Sequence, residues 1–318
     1  MFSAEAFNGF DDAAFSAFQQ KKRASNMYNM ERMRVGELLN IVGDAAEKVL
    51  RQSDVTFARA VTPHTPSVFN GRQVAEMALY FTRTAEQKKA IAPVLDRKVA
   101  LPDQISDAGE YHRHGFLGVL ITEDRVDVGL MIHSRAWLDI MNLLNRCREK
   151  EEEAQRLVRL LHLMKAGAVV RLAPGREVPA AAFDAPMLNV IEEAVMNESF
   201  SFFVGYSFEP GDEVVRGRVF LDRTADILGG MIDLWKFCMW KPTSNFLVSP
   251  KAADGQPQET VIDNGTVVNF HKGSTVRLSG GIFAGRTGVV QDMDAKGNVK
   301  VLVGRVTVRT ESHLVRAV

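Results

Sequence analysis

Cysteine is nearly missing from this chain: among 318 residues there are only Cys147 and Cys238. Two thiols this far apart cannot form the dense framework of a small secreted scaffold, and they fit a reducing compartment. Long apolar runs are also missing. No stretch reaches the roughly 18 residues that a membrane-spanning helix needs. The first residues, MFSAEAFNGFDD, contain acids and no basic segment, so they do not read as a secretion signal. The expectation is a cytoplasmic protein with no membrane association. The chain also lacks a GxSxG elbow, a GxxxxGK[ST] loop and a CxxC pair, which removes the common signatures of serine-type hydrolysis, nucleotide cradling and dithiol chemistry.

Net charge is absent as well, with 39 basic residues against 39 acidic. That balance hides an asymmetry. From His271 onward there are eight basic residues and three acidic, a net of +5, which leaves −5 on the rest. A basic tail on an acidic body favours an anionic partner for the tail. Length alone points to about two domains.

The body, residues 1–240, reads as α+β. Phe2, Phe7, Phe10, Phe15 and Phe18 recur at near-helical spacing, a pattern of helices docking on a core, with a partner-binding or self-associating segment as the alternative. A helix is expected over about 27–51, with Met27, Tyr28, Met30 and Met33 packed near its start. Short strands are expected within 55–61 and 74–82. The sequence Thr84-Ala85-Glu86-Gln87 is a capping box that opens a helix. Residues 112–149 read as strand, turn at Glu123-Asp124, strand, and a long helix with Ser134 as N-cap. A strand at 166–173 and a helix near 184–197 follow. Residues 199–240 repeat the strand–turn–strand–helix grammar, which suggests antiparallel hairpin–helix units.

A two-residue loop at Glu123-Asp124 places Leu117, Val119 and Ile121 on one face with Val126, Val128, Leu130 and Ile132, because any one-residue slip mixes this set with Asp127 and His133. The other face then carries His112, His114, Phe116, Leu120, Met131 and His133, with His114 opposite His133. Three histidines so placed raise two possibilities. They could ligate a metal for a hydrolase or nuclease, or they could cap an apolar strip on a half-exposed face. No assured fourth ligand accompanies them, so no metal, other cofactor or catalytic residue is expected. Both cysteines read as core thiols, and Trp235 and Trp240 as core packing around Cys238.

Residues 241–268, rich in Pro, Gly, Asn, Asp and Ser, read as a linker. Beyond it, residues 269–318 form several short alternating strands punctuated by glycine. So small a piece can bury its inward valines by closing into a barrel. From KGSTVRL through GGIFAGRTGVVQDMD to VKVLVGRVTVRTESHLV, about 47 residues, this block resembles the KOW motif in the C-terminal domain of bacterial NusG-type transcription factors. One departure is Ser274, where such modules often carry an acid. The body does not resemble the N-terminal domain of those factors. The resemblance implies a small all-β barrel that docks on RNA or on a ribosomal or transcription-associated protein. Residues Arg277, Arg286, Lys300, Arg305 and Arg309 are then candidates for the anionic partner, and Ile282 and Phe283 for an apolar loop tip. The partner of the body is not specified by any motif.

Overall fold

The computed structural model describes residues 7–67, 70–95, 110–195, 200–247, 272–279, 283, 285–293, 298–303, 306–311 and 314–317. The chain is mixed α/β and divides into two compact units, Met1–Trp240 and Lys241–Val318. Eight α-helices and two antiparallel sheets occur among the described residues.

The first unit is organised by a seven-stranded sheet. Its strands are β1 (Ala58–Val61), β2 (Met77–Thr82), β3 (Phe116–Ile121), β4 (Val126–His133), β5 (Val169–Ala173), β6 (Arg176–Pro179) and β7 (Ser201–Phe208). They lie in the order β1-β2-β3-β4-β7-β5-β6. The β3–β4 hairpin has the expected register, with Phe116 opposite Met131 and Ile121 opposite Val126.

One sheet face is covered by helices. Helix α1 (Asp12–Ser16) leads to α2 (Asn29–Leu50), whose buried stripe Val35, Leu39, Val42, Ala46 and Leu50 follows helical periodicity. Helix α2 packs on β2 and on a later helix, Val219–Gly230. Gly36 of α2 lies so close to Met77 that a Cβ there would sit 3.3 Å from its terminal methyl. The phenylalanines at the start of the chain are core: Phe7, Phe10, Phe15 and Phe18 are buried, and Phe7 and Phe10 pack on Phe220. Phe2 lies outside the described residues. Gly9, between Phe7 and Phe10, has φ +89°, and a Cβ there would sit 2.3 Å from the Arg216 backbone. Only glycine lets the chain pass this close in this conformation.

Helix α3 (Ala85–Leu95) opens with the capping box. The Gln87 N–H donates to Thr84 Oγ1 at 3.3 Å, and the Thr84 N–H donates to Gln87 Oε1 at 2.9 Å.

Three expectations are corrected. The long helix expected from Ser134 is two helices, α4 (Trp137–Glu149) and α5 (Glu151–His162). Lys150 between them is extended, at φ −134° and ψ 108°. Breaking there puts Glu151, Glu152 and Glu153 in the first turn of α5, where the helix dipole favours them. Ser134 instead donates its backbone N–H to Phe200 O. Secondly, no strand follows the turn after β7. Residues 209–218 form turns, and the segment near Val215 accepts a bond from the Phe10 N–H. The duplicated unit is therefore absent. After α6 (Leu188–Val195), strand β7 pairs with β4 on one side and β5 on the other, and α7 (Val219–Gly230) and α8 (Ile232–Cys238) follow. Thirdly, Met27 and Met30 do not pack: they are 86% and 70% exposed.

The other sheet face is not half-exposed. Ala78, Tyr80, Phe116, Met131 and Phe203 form a buried cluster on it. A row of glycines, Gly118, Gly129 and Gly205, runs across the three adjacent strands of this face. A Cβ at Gly118 would sit 3.2 Å from the ring of Phe116, and one at Gly205 would sit 2.8 Å from that of Phe203. Each ring lies over the glycine two residues along its own strand, so the sheet covers its own aromatics. Arg171 caps the Phe203 ring, with its guanidinium carbon 4.6 Å from the centroid.

The second unit contains β8 (Thr275–Leu278), β9 (Thr287–Met293), β10 (Asn298–Val303), β11 (Val306–Glu311) and β12 (Val315–Ala317). Their order is β11-β10-β9-β8-β12. Val276, Leu278, Val290, Val299, Val301, Val303 and Val315 are buried and form its core. Residues 248–268 of the expected linker lie outside the described residues.

Candidate functional site

The three candidate histidines, His112, His114 and His133, do not converge. His114 precedes β3, and its Nδ1 accepts from Arg83 at 3.4 Å. His133, at the end of β4, pairs with Ser201 of β7 and not with His114. His112 is the residue that meets His133: their rings stack with centroids 4.0 Å apart and planes at 23°. Face-to-face stacking points the ring nitrogens of both outward in parallel planes, away from a shared ion. The Arg135 N–H donates to His133 Nδ1 at 3.1 Å, which leaves that ring's proton on Nε2. His112 Nε2 lies 3.9 Å from Glu76 Oε1. Among the described residues, no group of three His, Cys, Asp or Glu is placed to hold a metal.

Burial, with His112 and Arg135 adding to it, pulls His133 down to about 2 from 6.5. A folded value below the unfolded one means that stability is full above pH 6.5 and falls as the unfolded state takes up a proton that the native state refuses. Between pH 7.5 and pH 5 this single group should remove about 2 kcal/mol of folding stability. Urea unfolding at those two pH values checks it. His133→Gln should shrink the difference by about that amount, and an unchanged difference would contradict the assignment.

His114 belongs to a second arrangement. Arg83, after β2, forms a two-pronged ion pair with Asp139 of α4, at 2.7 and 2.6 Å. Asp139 also accepts the backbone N–H groups of Gly115 and Trp240, each at 2.9 Å, and Arg83 donates to Trp240 O at 3.0 Å. Both side chains are buried. Burial opposes ionisation of Asp139, but Arg83 and the two N–H donors outweigh it and hold the carboxyl below its usual range. With both Asp139 oxygens and both terminal nitrogens of Arg83 committed to the fold, this is a lock joining β2, β3, α4 and the end of the body.

The thiols are likewise inert. Burial, reinforced by Glu153 and partly offset by Arg146, pushes Cys147 up to about 12. Burial pushes Cys238 well above its ordinary value. Neither presents a thiolate near neutral pH.

The second unit arranges its candidates differently. On the outward face, cross-strand pairing makes three successive rows. Arg316 of β12 lies directly opposite Arg277 of β8, which lies opposite Thr287 of β9. The next row is Thr275, Val289, Leu302 and Thr307. The third is Asp292, Lys300 and Arg309. Val289 is 41% exposed. Like charges directly opposed across strands repel. In the third row Asp292 offsets this, with its Oδ2 3.4 Å from Lys300 Nζ. In the first, Arg277 and Arg316 are both exposed and make no ion pair among the described residues.

Of the remaining candidates, Arg286 lies at the start of β9, where its carbonyl accepts the Leu278 N–H at 2.8 Å. Phe283 is half-buried in the turn before it, and its carbonyl accepts the Arg286 N–H. Ile282 and Arg305 lie outside the described residues. Arg316 was not among the residues that the sequence singled out. Its place opposite Arg277 depends on the last strand returning to the first of the unit, a pairing that local alternation does not encode.

Compared with protein-family models and with curated proteins, the chain matches none of them. No helix among the described residues is long and apolar enough to cross a membrane.

Proposed function

We propose that the protein is a non-enzymatic docking protein whose C-terminal unit, a KOW-like barrel, holds an anionic partner in a transcription or translation ribonucleoprotein: RNA, or a protein bound to it. The observation that carries this reading is the Arg277–Arg316 pair, two exposed like charges opposed across neighbouring strands. An anion placed over them converts repulsion into two charge-assisted contacts. The basic excess of the C-terminal block supports it, because a net positive unit attracts anionic partners over distances of about a Debye length, ~8 Å at physiological salt. The sequence resemblance supplies the class of assembly. The partner of the body is not assigned.

The test is a pull-down with the full chain and with a chain ending at residue 268, each with and without ribonuclease treatment. The reading expects ribonucleoprotein components on the full chain and their loss from the truncated one. Equal capture by both would remove the C-terminal unit from docking.

A further inference from the structure

We infer that the start of helix α2 docks, antiparallel, on the start of α2 in a second copy of this chain. This surface belongs to the body and is independent of the C-terminal docking reading. Met27, in the short turn Asn26–Tyr28 that leads into α2, is 86% exposed, and Met30 is 70% exposed. The other exposed large apolar residues described in the body, Leu163 and Val219, stand singly at the end of α5 and the start of α7. Beside the methionines the surface sinks into a hollow of about 250 Å³ between α1 and α2, lined by Ala13, Ala14, Met30, Val35 and Leu38, with Glu31 and Arg34 as its charged residues. Met27 does not line it, so one surface carries both an apolar knob and a hollow that the knob leaves open.

The order of side chains selects the occupant. Met27, Glu31, Arg34 and Leu38 follow one another at intervals of four, three and four, the spacing that keeps residues on one seam of a helix facing a partner helix. An antiparallel copy, related by a two-fold axis midway between Glu31 and Arg34, sets Met27 of each chain against Leu38 of the other. The same axis sets Glu31 of each against Arg34 of the other, because every contact in such an interface occurs twice. The seam is thus apolar at both ends and ionic in the middle, with opposite charges matched. A partner of one charge sign meets no net charge here, since Arg34 is balanced by Asp11 at 2.7 Å and Glu31 by Lys22 at 2.5 Å. Methionine suits the knob, because its flexible thioether adapts to an irregular hollow.

The experiment is sedimentation equilibrium of the full chain. A seam of four positions belongs with the weak interfaces, so half-dimerisation is expected on the order of 10–100 μM. Met27→Ser should weaken it at least about tenfold through lost apolar burial. Glu31→Lys and Arg34→Glu each oppose like charges and should each weaken it about tenfold. An equimolar mixture of those two variants should restore dimers, because the mixed pair again opposes unlike charges at both ionic positions. Arg277→Gln/Arg316→Gln should dimerise as the wild type does, which separates this surface from the C-terminal one. Thermal unfolding of each variant checks that the fold is intact. A wild-type chain that stays monomeric throughout overturns the inference and leaves the methionines to an unlike protein. Dimers that ignore Met27→Ser, or charge variants that mixing does not rescue, overturn it as well by placing self-association elsewhere.

Discussion

Asp139→Ala is expected to destabilise the body by about 3–5 kcal/mol, the usual cost of stripping one partner from a buried ion pair. The change leaves the Arg83 guanidinium facing a void, with Trp240 O and the His114 ring as its remaining partners among the described residues. It also removes the acceptor of the Gly115 and Trp240 N–H groups. The size of the loss reflects this uncompensated charge, and the net worth of the pair is smaller. Replacing both partners with apolar residues, Arg83→Met with Asp139→Leu, should therefore cost less than Asp139→Ala alone. Urea unfolding of the single and double variants separates the two quantities. The pH dependence has a definite sign. Because the folded carboxyl titrates below its ordinary 3.8, its contribution is present above that value and is lost only as pH falls through the lower folded one. A single-variant loss below about 1 kcal/mol, the level of an exposed pair, would show that the site is open to water.

Arg32→Ala should be nearly as costly, about 3 kcal/mol or more. Arg32 is fully buried on α2 and faces no carboxylate in its hydrogen bonds. Its Nε donates to His64 O at 2.9 Å, Nη1 to Lys22 O at 3.0 Å, and Nη2 to Ser25 O at 2.6 Å and Asn29 Oδ1 at 2.7 Å. Burial, only partly countered by Glu31, lowers its pKa from the ordinary arginine value. One side chain thus holds the segment before α2 against the loop after β1. Truncation leaves three half-buried carbonyls without this donor, and a carbonyl that water does not reach costs about 1–3 kcal/mol. Lysine cannot reproduce the planar fork, so Arg32→Lys should recover only part of the loss. Chemical denaturation measures both, and limited proteolysis near His64 should become faster in the alanine variant. Equal stability of the alanine and wild-type chains would contradict this role.

Arg32 also shows where sequence reading stops. In Met30-Glu31-Arg32-Met33-Arg34 the charged residue looks like solvent-facing surface, yet Arg32 is buried while Met30 is exposed. What draws it inward is a set of backbone carbonyls on other segments, which no local pattern records. The same limit applies to Arg83 and Asp139, 56 residues apart, and to Arg277 and Arg316. Local chemistry was readable. The β3–β4 register follows from alternation and a two-residue turn, and the Thr84–Gln87 box from its spacing. The valine alternation of 298–303 marks a strand because its inward residues must be buried. The expected strand after β7 failed because β-branched residues at 214–219 satisfy a strand pattern, while both edges of β7 are already taken by β4 and β5. Alternation put His114 opposite His133, whereas His112 is the ring that stacks on His133 and His114 turns to Arg83; spacing cannot separate stacking from convergence on an ion.

The central claim is that the C-terminal unit holds its partner electrostatically through Arg277 and Arg316. The most direct measurement is the salt dependence of association between the full chain and purified bacterial ribosomes, used as a ribonucleoprotein probe. It is run for the wild type and for Arg277→Gln/Arg316→Gln. The account predicts affinity that falls steeply between 50 and 200 mM salt, and a log–log slope shallower by about 1–2 in the variant, one increment for each lost ionic contact. Association that ignores salt, or a variant with the wild-type slope and affinity, would contradict it.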